Sequence, residues 1–283
     1  MARMEYDRNE ADAFASTRHL GDEAASGWRA AVARHLALQP GTRLLDLGAG
    51  TGSWAKAFST WFPGIEVIAV EPSPAMRERS VYRPIIAGHA SDIPLADESV
   101  DAVWISTVIH HVPDLNAAAR ELGRVLRPAG VVLIRSAFAG RHEAITLFRY
   151  FPEAIRALDS YPSVAQVEAT FAAGGFSKVS LEQVSQVTAT SLQEAATALR
   201  REAHTPLLLI TDKEYEAGLR RLHQAALAQT GPVIDALDLL VLSRISPDPD
   251  MRAMPRRPTP WSQTGSRPPA GRPALARGEE DLR

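Results

Sequence analysis

The sequence predicts an α/β domain organised around a parallel β-sheet. Short apolar segments alternate with amphipathic helical segments between residues 43 and 136, and this alternation favours right-handed crossovers between parallel strands. The first apolar segment, residues 43–47, runs into a loop with Gly48, Gly50 and Gly52 at alternate positions. Glycine lets the backbone turn sharply and approach a ligand closely. We therefore expect a ligand-holding loop at the carboxyl end of the first strand.

Composition narrows the classes of protein to consider. The chain has 283 residues, of which 45% are hydrophobic and 23% charged, and its net charge is -2, values typical of a soluble globular protein without a bulk attraction to nucleic acid. The absence of cysteine excludes disulfides, thiolate zinc sites and cysteine nucleophiles. The N-terminus has no apolar signal core, and no stretch approaches the ~18 apolar residues of a membrane span. We expect a cytoplasmic monomer or homodimer with no membrane partner.

The glycine spacing distinguishes two classes of ligand. The dinucleotide fingerprint requires a third glycine at position 53, where this chain has Ser53. An acidic residue followed by alternating glycines, Asp46 to Gly52, is present in full and resembles motif I of class I S-adenosylmethionine-dependent methyltransferases, in particular the branch that acts on quinones and natural products. This resemblance implies that Asp46, Gly48, Ala49, Gly50 and Gly52 contact the cofactor.

The resemblance also implies an architecture. The expected fold is a Rossmann-like sheet with strand order 3-2-1-4-5-7-6, in which strand 7 is antiparallel, under a helical lid formed by residues 1–40. In that lid, Tyr6 and Arg18 match a tyrosine and an arginine that close over the cofactor. Arg18 would pair with the methionine carboxylate through two parallel hydrogen bonds. The alternative for both residues is a solvated helix face.

A second strand, residues 66–71, ends on Glu71. An acidic residue about 20 positions beyond a glycine loop is placed to accept hydrogen bonds from ribose hydroxyls. Enzymes that bind NAD share this feature, so Glu71 indicates a nucleoside without identifying it. The resemblance implies that Pro72 to Met76 follow the adenosine edge, with Met76 on the purine; alternatively, Met76 is an ordinary core residue.

The loop after the third strand, residues 84–88, contains Ser91, Asp92 and Ile93. Asp92 resembles the aspartate that accepts from the adenine amino group in the family, and the next N–H, that of Ile93, would donate to a ring nitrogen. The alternative is a turn in which the Asp92 side chain caps its own backbone.

The fourth strand, residues 100–106, ends at Ser106 and leads into His110 and His111. Strands next to the glycine-loop strand deliver their carboxyl ends to the ligand crevice of open α/β sheets. Either histidine is a candidate general base, or both are ordinary loop residues, since no carboxylate partner is identifiable from spacing. The Asn/Asp-Pro-Pro-Tyr/Phe motif of nucleic-acid and protein amide methylation is absent from this position. We therefore expect no nucleic-acid partner.

The remaining chain adds two insertions and a tail. We expect a fifth strand at residues 131–136 and a last strand at residues 236–242, with inserted cap helices at residues 138–173 and 188–232. Aromatic residues in the first insertion either line an acceptor pocket or form the core of the cap; they are Phe148, Tyr150, Phe151 and Tyr161. The methyltransferase domain is expected to span residues 1–245, and the Pro- and Arg-rich residues 246–283 to be a disordered tail.

These patterns predict an enzyme that transfers a methyl group from S-adenosylmethionine, without a metal, to a small or medium-sized apolar metabolite, in secondary metabolism. They leave O-, N- and C-methylation open. The alternatives are an NAD(P)-dependent oxidoreductase, and a cyclase or binding protein that has the methyltransferase fold but does not transfer methyl groups.

Overall fold

A seven-stranded sheet forms the centre of residues 22–245, which are the residues that this computed structural model describes. The strands are β1 (Arg43–Leu47), β2 (Glu66–Glu71), β3 (Ile85–Ala87), β4 (Val100–Ser106), β5 (Leu126–Ser136), β6 (Phe176–Ala189) and β7 (Val233–Arg244). Their order across the sheet is β3-β2-β1-β4-β5-β7-β6. The pairs from β3 to β5 are parallel, and β7 runs antiparallel to both neighbours. The expected fold class is confirmed.

Nine α-helices connect or cover these strands within residues 22–245. They are α1 (Asp22–His35), α2 (Ser53–Trp61), α3 (Pro74–Glu78), α4 (Leu115–Val125), α5 (Thr146–Tyr150), α6 (Val164–Ala173), α7 (Leu192–Ala198), α8 (Thr205–Leu208) and α9 (Asp212–Ala226). Three 3-10 helices occupy Ile109–His111, Pro152–Ser160 and Arg201–Ala203. Side chains cap the longer helices: Asp114 accepts from two N–H groups of α4, and Thr211 forms a reciprocal capping box with Glu214 at α9.

Helices pack on both faces of the sheet. Successive residues of a strand point to opposite faces, so neighbouring residues belong to different cores. Leu45 and Val103 belong to the core shared with α4 and α6. Leu44 and Trp104 belong to the core shared with α1 and α2. The strands therefore read as continuous apolar runs, and a polar residue in one of them requires a specific explanation.

Two strand boundaries differ from the sequence-based expectation. Strand β5 begins at Leu126, not Val131, because the segment around Pro128 and Gly130 forms an irregularity inside the strand and not a turn before it. The register of β4 against β5 shifts there, from Val100 opposite Leu126 to Ala102 opposite Val131. Strand β7 begins at Val233 because it continues to pair with the distal half of β6.

The two insertions pack together as one cap. The first follows β5 and contains α5 and α6; the second lies between β6 and β7 and contains α7 to α9. They share a core that includes Phe151, Leu158 and Leu222. Ion pairs of 2.7 Å join Arg156 to Glu214 and Arg221 to Glu153 across the two insertions. Phe148, Tyr150 and Phe151 thus form part of the cap's own core, and Tyr161, which packs against this core, also contacts another element, as described below.

No helix within residues 22–245 is long and apolar enough to cross a membrane. Tyr6 and Arg18 of the expected lid and the tail from residue 246 onward lie outside the described residues. The last residues of the lid region form α1, whose Trp28, Ala31 and Val32 are fully buried against the sheet.

Candidate functional site

The five parallel strands, β1 to β5, deliver their carboxyl ends to one edge of the sheet. The chain leaves β1 toward β2 on one side, and β4 lies on the other side of β1. This reversal of strand order opens a crevice at the carboxyl ends, which is where open α/β sheets bind their ligands. The glycine loop, Glu71 and Ser106 all lie at this edge.

The glycine loop is held in a left-handed conformation by close neighbours. Gly48, Gly50 and Gly52 have φ values of 74°, 57° and 76°, a region that only glycine adopts without strain. A Cβ atom on Gly48 would lie 2.6 Å from Val108 Cγ2, so the loop after β4 packs directly on the glycine loop. The Gly48 and Ala49 N–H groups both donate to the Val70 carbonyl, at 2.8 and 3.0 Å. The loop is therefore preformed.

Glu71 braces this loop from β2. Its two carboxylate oxygens accept hydrogen bonds of 2.8 Å from the Gly50 and Ser73 N–H groups. Burial raises the pKa of the Glu71 carboxyl group, while both hydrogen bonds and the charge of Arg77 act in the opposite direction. Glu71 thus joins the glycine loop to the start of α3, and lies at the strand end expected from the sequence.

Asp46 is a buried acid next to the glycine loop. It is 1% exposed, and its Oδ2 atom has no hydrogen-bond partner among residues 22–245. Burial raises the pKa of Asp46 to about 7, with a further increase from the charge of Glu71, and the Ala55 N–H opposes the shift. A buried carboxylate oxygen that lacks a partner is costly. The site therefore fits a ligand that presents a cationic hydrogen-bond donor at this point.

The loop after β3 differs from the expectation in one contact. Asp92 and Ser91 are exposed at the sheet edge, but the Ile93 N–H donates to Glu121 Oε2 of α4 at 2.8 Å. Arg124 of α4 also donates to the Ile93 and Leu95 carbonyls. The expected Ile93 donor is thus engaged within the protein, because α4 packs against this loop.

Pro72 precedes α3, and Met76 lies within it. Ser73 caps this helix by accepting from the Met76 N–H at 3.3 Å, and Arg77 donates to the Glu71 and Pro72 carbonyls at 2.8 and 2.6 Å. Pro72 is exposed, whereas Met76 is 2% exposed. These contacts fix the backbone that follows Glu71.

The end of β4 turns abruptly at Thr107, which has a φ of 54° although it is not glycine. Its N–H donates to the Arg135 carbonyl at 2.7 Å, and its hydroxyl donates to the Ser106 carbonyl at 2.8 Å. Such strained residues persist only where their surroundings fix them. The turn directs the 3-10 helix Ile109–His111 across the edge of the sheet.

Both candidate histidines lie on this short helix and are partly buried. Their rings are 4.1 Å apart between centroids, at an interplanar angle of 49°. The other face of the site comes from the first insertion: the Tyr161 ring lies 3.9 Å from the His110 ring, at an angle of only 8°. The structure thus brings the β4 motif and the cap together, a contact that residue spacing does not reveal.

A buried arginine that the sequence analysis missed adjoins Ser106. Arg135 is 8% exposed, and donates to Ser106 Oγ at 3.2 Å and to Gln186 Oε1 at 2.9 Å. Its guanidinium lies 4.8 Å from the centre of the Trp28 ring and 5.3 Å from that of Trp54. The sequence contains one signal for this residue, since Arg135 is the single charged residue in the apolar run 131–136. A charged side chain in a buried strand needs polar partners and therefore indicates a specific site.

Comparison with known proteins agrees with this geometry. Residues 45–134 match the family described as a methyltransferase domain. A malonyl-[acyl-carrier protein] O-methyltransferase of Methylococcus capsulatus is 37% identical over 162 residues, which are 53% of this chain and 56% of that protein. A demethylmenaquinone methyltransferase of Streptomyces griseus is 34% identical over 145 residues, covering 48% of this chain and 62% of that protein. This part of the chain is therefore similar to the class I S-adenosylmethionine-dependent methyltransferases.

The match spans little more than half the length of these relatives. A solved structure from Anabaena variabilis, described as a methyltransferase of an antibiotic biosynthesis pathway, has the same fold with a TM-score of 0.58 and 23% identity, and the match covers 76% of this chain and 96% of that one. The methyltransferase fold therefore extends well beyond residues 45–134, into strands that the family match leaves out.

Proposed function

We propose that this chain transfers the methyl group of S-adenosylmethionine to a small or medium-sized apolar metabolite, in secondary metabolism. The observation that carries the proposal is the buried Asp46 Oδ2 atom, which has no hydrogen-bond partner among the described residues and lies beside a preformed glycine loop. The cofactor has a cationic ammonium group on its methionine part, and this donor matches the missing partner of Asp46. The antiparallel β7 between β5 and β6 also differs from the mostly parallel sheet of the dinucleotide-binding fold.

The other cofactor contacts follow the edge of the sheet. Glu71 accepts from the ribose hydroxyls with the lone pairs that Gly50 and Ser73 do not use. Pro72, Met76, Ser91 and Asp92 lie along the adenosine side. Ile93 contributes its N–H only if Glu121 releases it. On the other side of β1, Ser106 faces the methionine part.

When bound, the cofactor supplies an electrophilic methyl group, so the chain's own residues mainly position the acceptor and exclude water. A hydroxyl or acidic carbon acceptor must also lose a proton. His110 and His111 are the best-placed bases, since an imidazole nitrogen accepts a proton near neutral pH without a large pKa shift. The histidine pair therefore favours O- or C-methylation over methylation of an amine, for which positioning alone suffices.

The acceptor is expected to be apolar where it meets the cap. The first insertion leaves β5 at its carboxyl end and places the Tyr161 ring beside His110, so an aromatic side chain of the cap borders the site. The two curated relatives act on a malonyl-carrier thioester and on demethylmenaquinone, according to their names. These two names supply the acceptor classes for the test below.

Calorimetric titration with S-adenosylmethionine and with NAD tests the cofactor, and methyl transfer to 1,4-naphthoquinol and to malonyl-pantetheine tests the acceptor chemistry. We expect binding of S-adenosylmethionine alone, followed by a methylated product of one acceptor. Tight binding of NAD without S-adenosylmethionine would overturn the assignment. Binding of S-adenosylmethionine without transfer to any acceptor in a metabolite extract would instead favour a cyclase or binding protein of this fold.

A further inference from the structure

We infer that Tyr161, from the first insertion, is a positioning residue that fixes the plane of the His110 ring. The inference rests on the proposed base role of His110. It assigns a catalytic purpose to an insertion whose other aromatic residues serve the core of the cap. The observation behind it is a parallel contact between an aromatic residue of the cap and the motif that follows β4.

The geometry of this contact is specific. The Tyr161 and His110 rings are 3.9 Å apart and nearly parallel at 8°, whereas the His111 ring meets His110 at 49°. The χ2 torsion of histidine is broad, so its intrinsic preferences do not fix the plane of the imidazole. A flat ring against one face restricts rotation to orientations that keep the faces parallel. Tyr161 therefore supplies an orientation that the histidine lacks by itself.

Tyr161 is itself anchored on both sides. Its N–H donates to the Leu158 carbonyl at 3.0 Å, and Leu158 is 2% exposed in the cap core. The next residue, Pro162, accepts from the Ala139 N–H at 3.3 Å, which joins the segment to the exit of β5. The ring therefore belongs to a fixed backbone and not to a loose surface loop.

Orientation of the base matters because proton transfer requires the nitrogen to face the acceptor group. A displacement of about 1 Å at a reacting group can cost on the order of 10²-fold in rate. We expect Tyr161→Leu, which keeps the bulk but removes the flat ring, to lower kcat by about 10-fold or more while the affinity for S-adenosylmethionine is unchanged. Tyr161→Phe keeps the ring and should retain most of the turnover.

The contact can be tested without any acceptor, by NMR of the His110 imidazole protons. A ring stacked flat on the imidazole shields these protons, so Tyr161→Leu should move their resonances downfield and Tyr161→Phe should not. Tyr215→Leu is the matched control, because Tyr215 also lies on an aromatic ring of the cap, that of Phe151 at 5.8 Å and 25°. Unchanged His110 resonances in a folded Tyr161→Leu variant would overturn the inference.

A double-mutant cycle with 1,4-naphthoquinol as the acceptor separates the two proposals. If Tyr161 acts through His110, Tyr161→Leu should lower turnover in the native background and have no further effect in a His110→Ala background. An equal loss in both backgrounds would overturn the positioning role. Full turnover by His110→Ala would overturn the general-base proposal, and the NMR result would still decide whether Tyr161 orients the ring.

Discussion

Asp46 connects cofactor binding to the protonation of a single residue. Its pKa is raised to about 7 from a model-compound value of 3.8, chiefly by burial. The folded protein without cofactor thus holds a proton that the unfolded chain loses near pH 4. Between about pH 4 and 7 the unfolded state binds fewer protons than the folded state, so the stability of the cofactor-free protein falls as pH rises through this range.

We predict that the affinity for S-adenosylmethionine rises with pH through about 7, because the ionised form of Asp46 attracts the ammonium group and the protonated form does not. Binding at pH 6 should release a proton, which titration calorimetry in two buffers of different ionisation enthalpy measures directly. Asp46→Asn should bind more weakly, by about 1 to 3 kcal/mol, and lose this pH dependence. A native affinity that is constant from pH 6 to 8 would contradict the prediction.

At the same scale, Gly48 and Val108 form a pair that substitution can test. We predict that Gly48→Ala weakens both stability and cofactor affinity, because its methyl group would lie 2.6 Å from Val108 Cγ2 and because φ is 74°. Trimming the neighbour in Gly48→Ala/Val108→Ala should restore only part of the loss, since left-handed strain of about 1 to 2 kcal/mol remains. Thermal unfolding and calorimetry measure both effects. No recovery in the double variant would show that the contact is unimportant.

At the scale of elements, the sheet carries the candidate cofactor residues and the cap is expected to affect the acceptor. The glycine loop, Asp46 and Glu71 lie on the first two strands, whereas the cap arises from segments after β5 and between β6 and β7. Damage to the core of the cap should therefore change acceptor turnover more than cofactor binding.

We predict that Phe151→Ala lowers the free energy of unfolding by about 3 to 5 kcal/mol, as expected for a buried phenylalanine. Phe151 is 1% exposed and packs directly on Gly218 of α9, so its loss loosens the contact between the two insertions. Affinity for S-adenosylmethionine should stay within a few-fold of the native value. Urea unfolding and titration calorimetry provide the two measurements, and a proportional loss of cofactor affinity would show that the cap supports the cofactor site.

The sequence predicts local elements well and long-range contacts poorly. The positions of Asp46 and Glu71 near strand ends can be predicted from spacing, because a glycine follows closely after Asp46 and a proline directly after Glu71. The sequence pattern places the start of β5 too late, since Pro128 and Gly130 resemble a turn, although pairing with β4 continues past them. Tyr161 and Gln186 cannot be placed from spacing, because they reach the site from other elements. The strand order came from the family resemblance.

At the scale of the molecule, β7 completes the sheet and ends at Arg244, whose side chain forms an ion pair of 3.1 Å with Glu98. The Ile245 N–H makes a further hydrogen bond of 2.8 Å to the Gly175 carbonyl. All seven strands described within residues 22–245 are thus complete at Arg244.

We predict that a chain ending at Ile245 folds and binds S-adenosylmethionine as the full chain does, because all seven strands that the structure describes, and their pairing partners, are retained. Thermal unfolding and calorimetry of the shortened chain check this. A chain ending at Leu240, which lacks the last part of β7, is the control and should be strongly destabilised. Reduced cofactor affinity of the Ile245 chain would assign a role to residues 246–283.

Trp54 begins the helix that follows the glycine loop, and its ring lies 4.9 Å from that of Trp104 and 6.2 Å from those of Trp28 and Trp61. Indoles this close exchange excitation energy, so four of the five tryptophans of the chain should emit as one coupled group. Light absorbed by any of them can be emitted beside the cofactor loop. Native fluorescence and near-ultraviolet circular dichroism should therefore report cofactor occupancy without a label or a known acceptor.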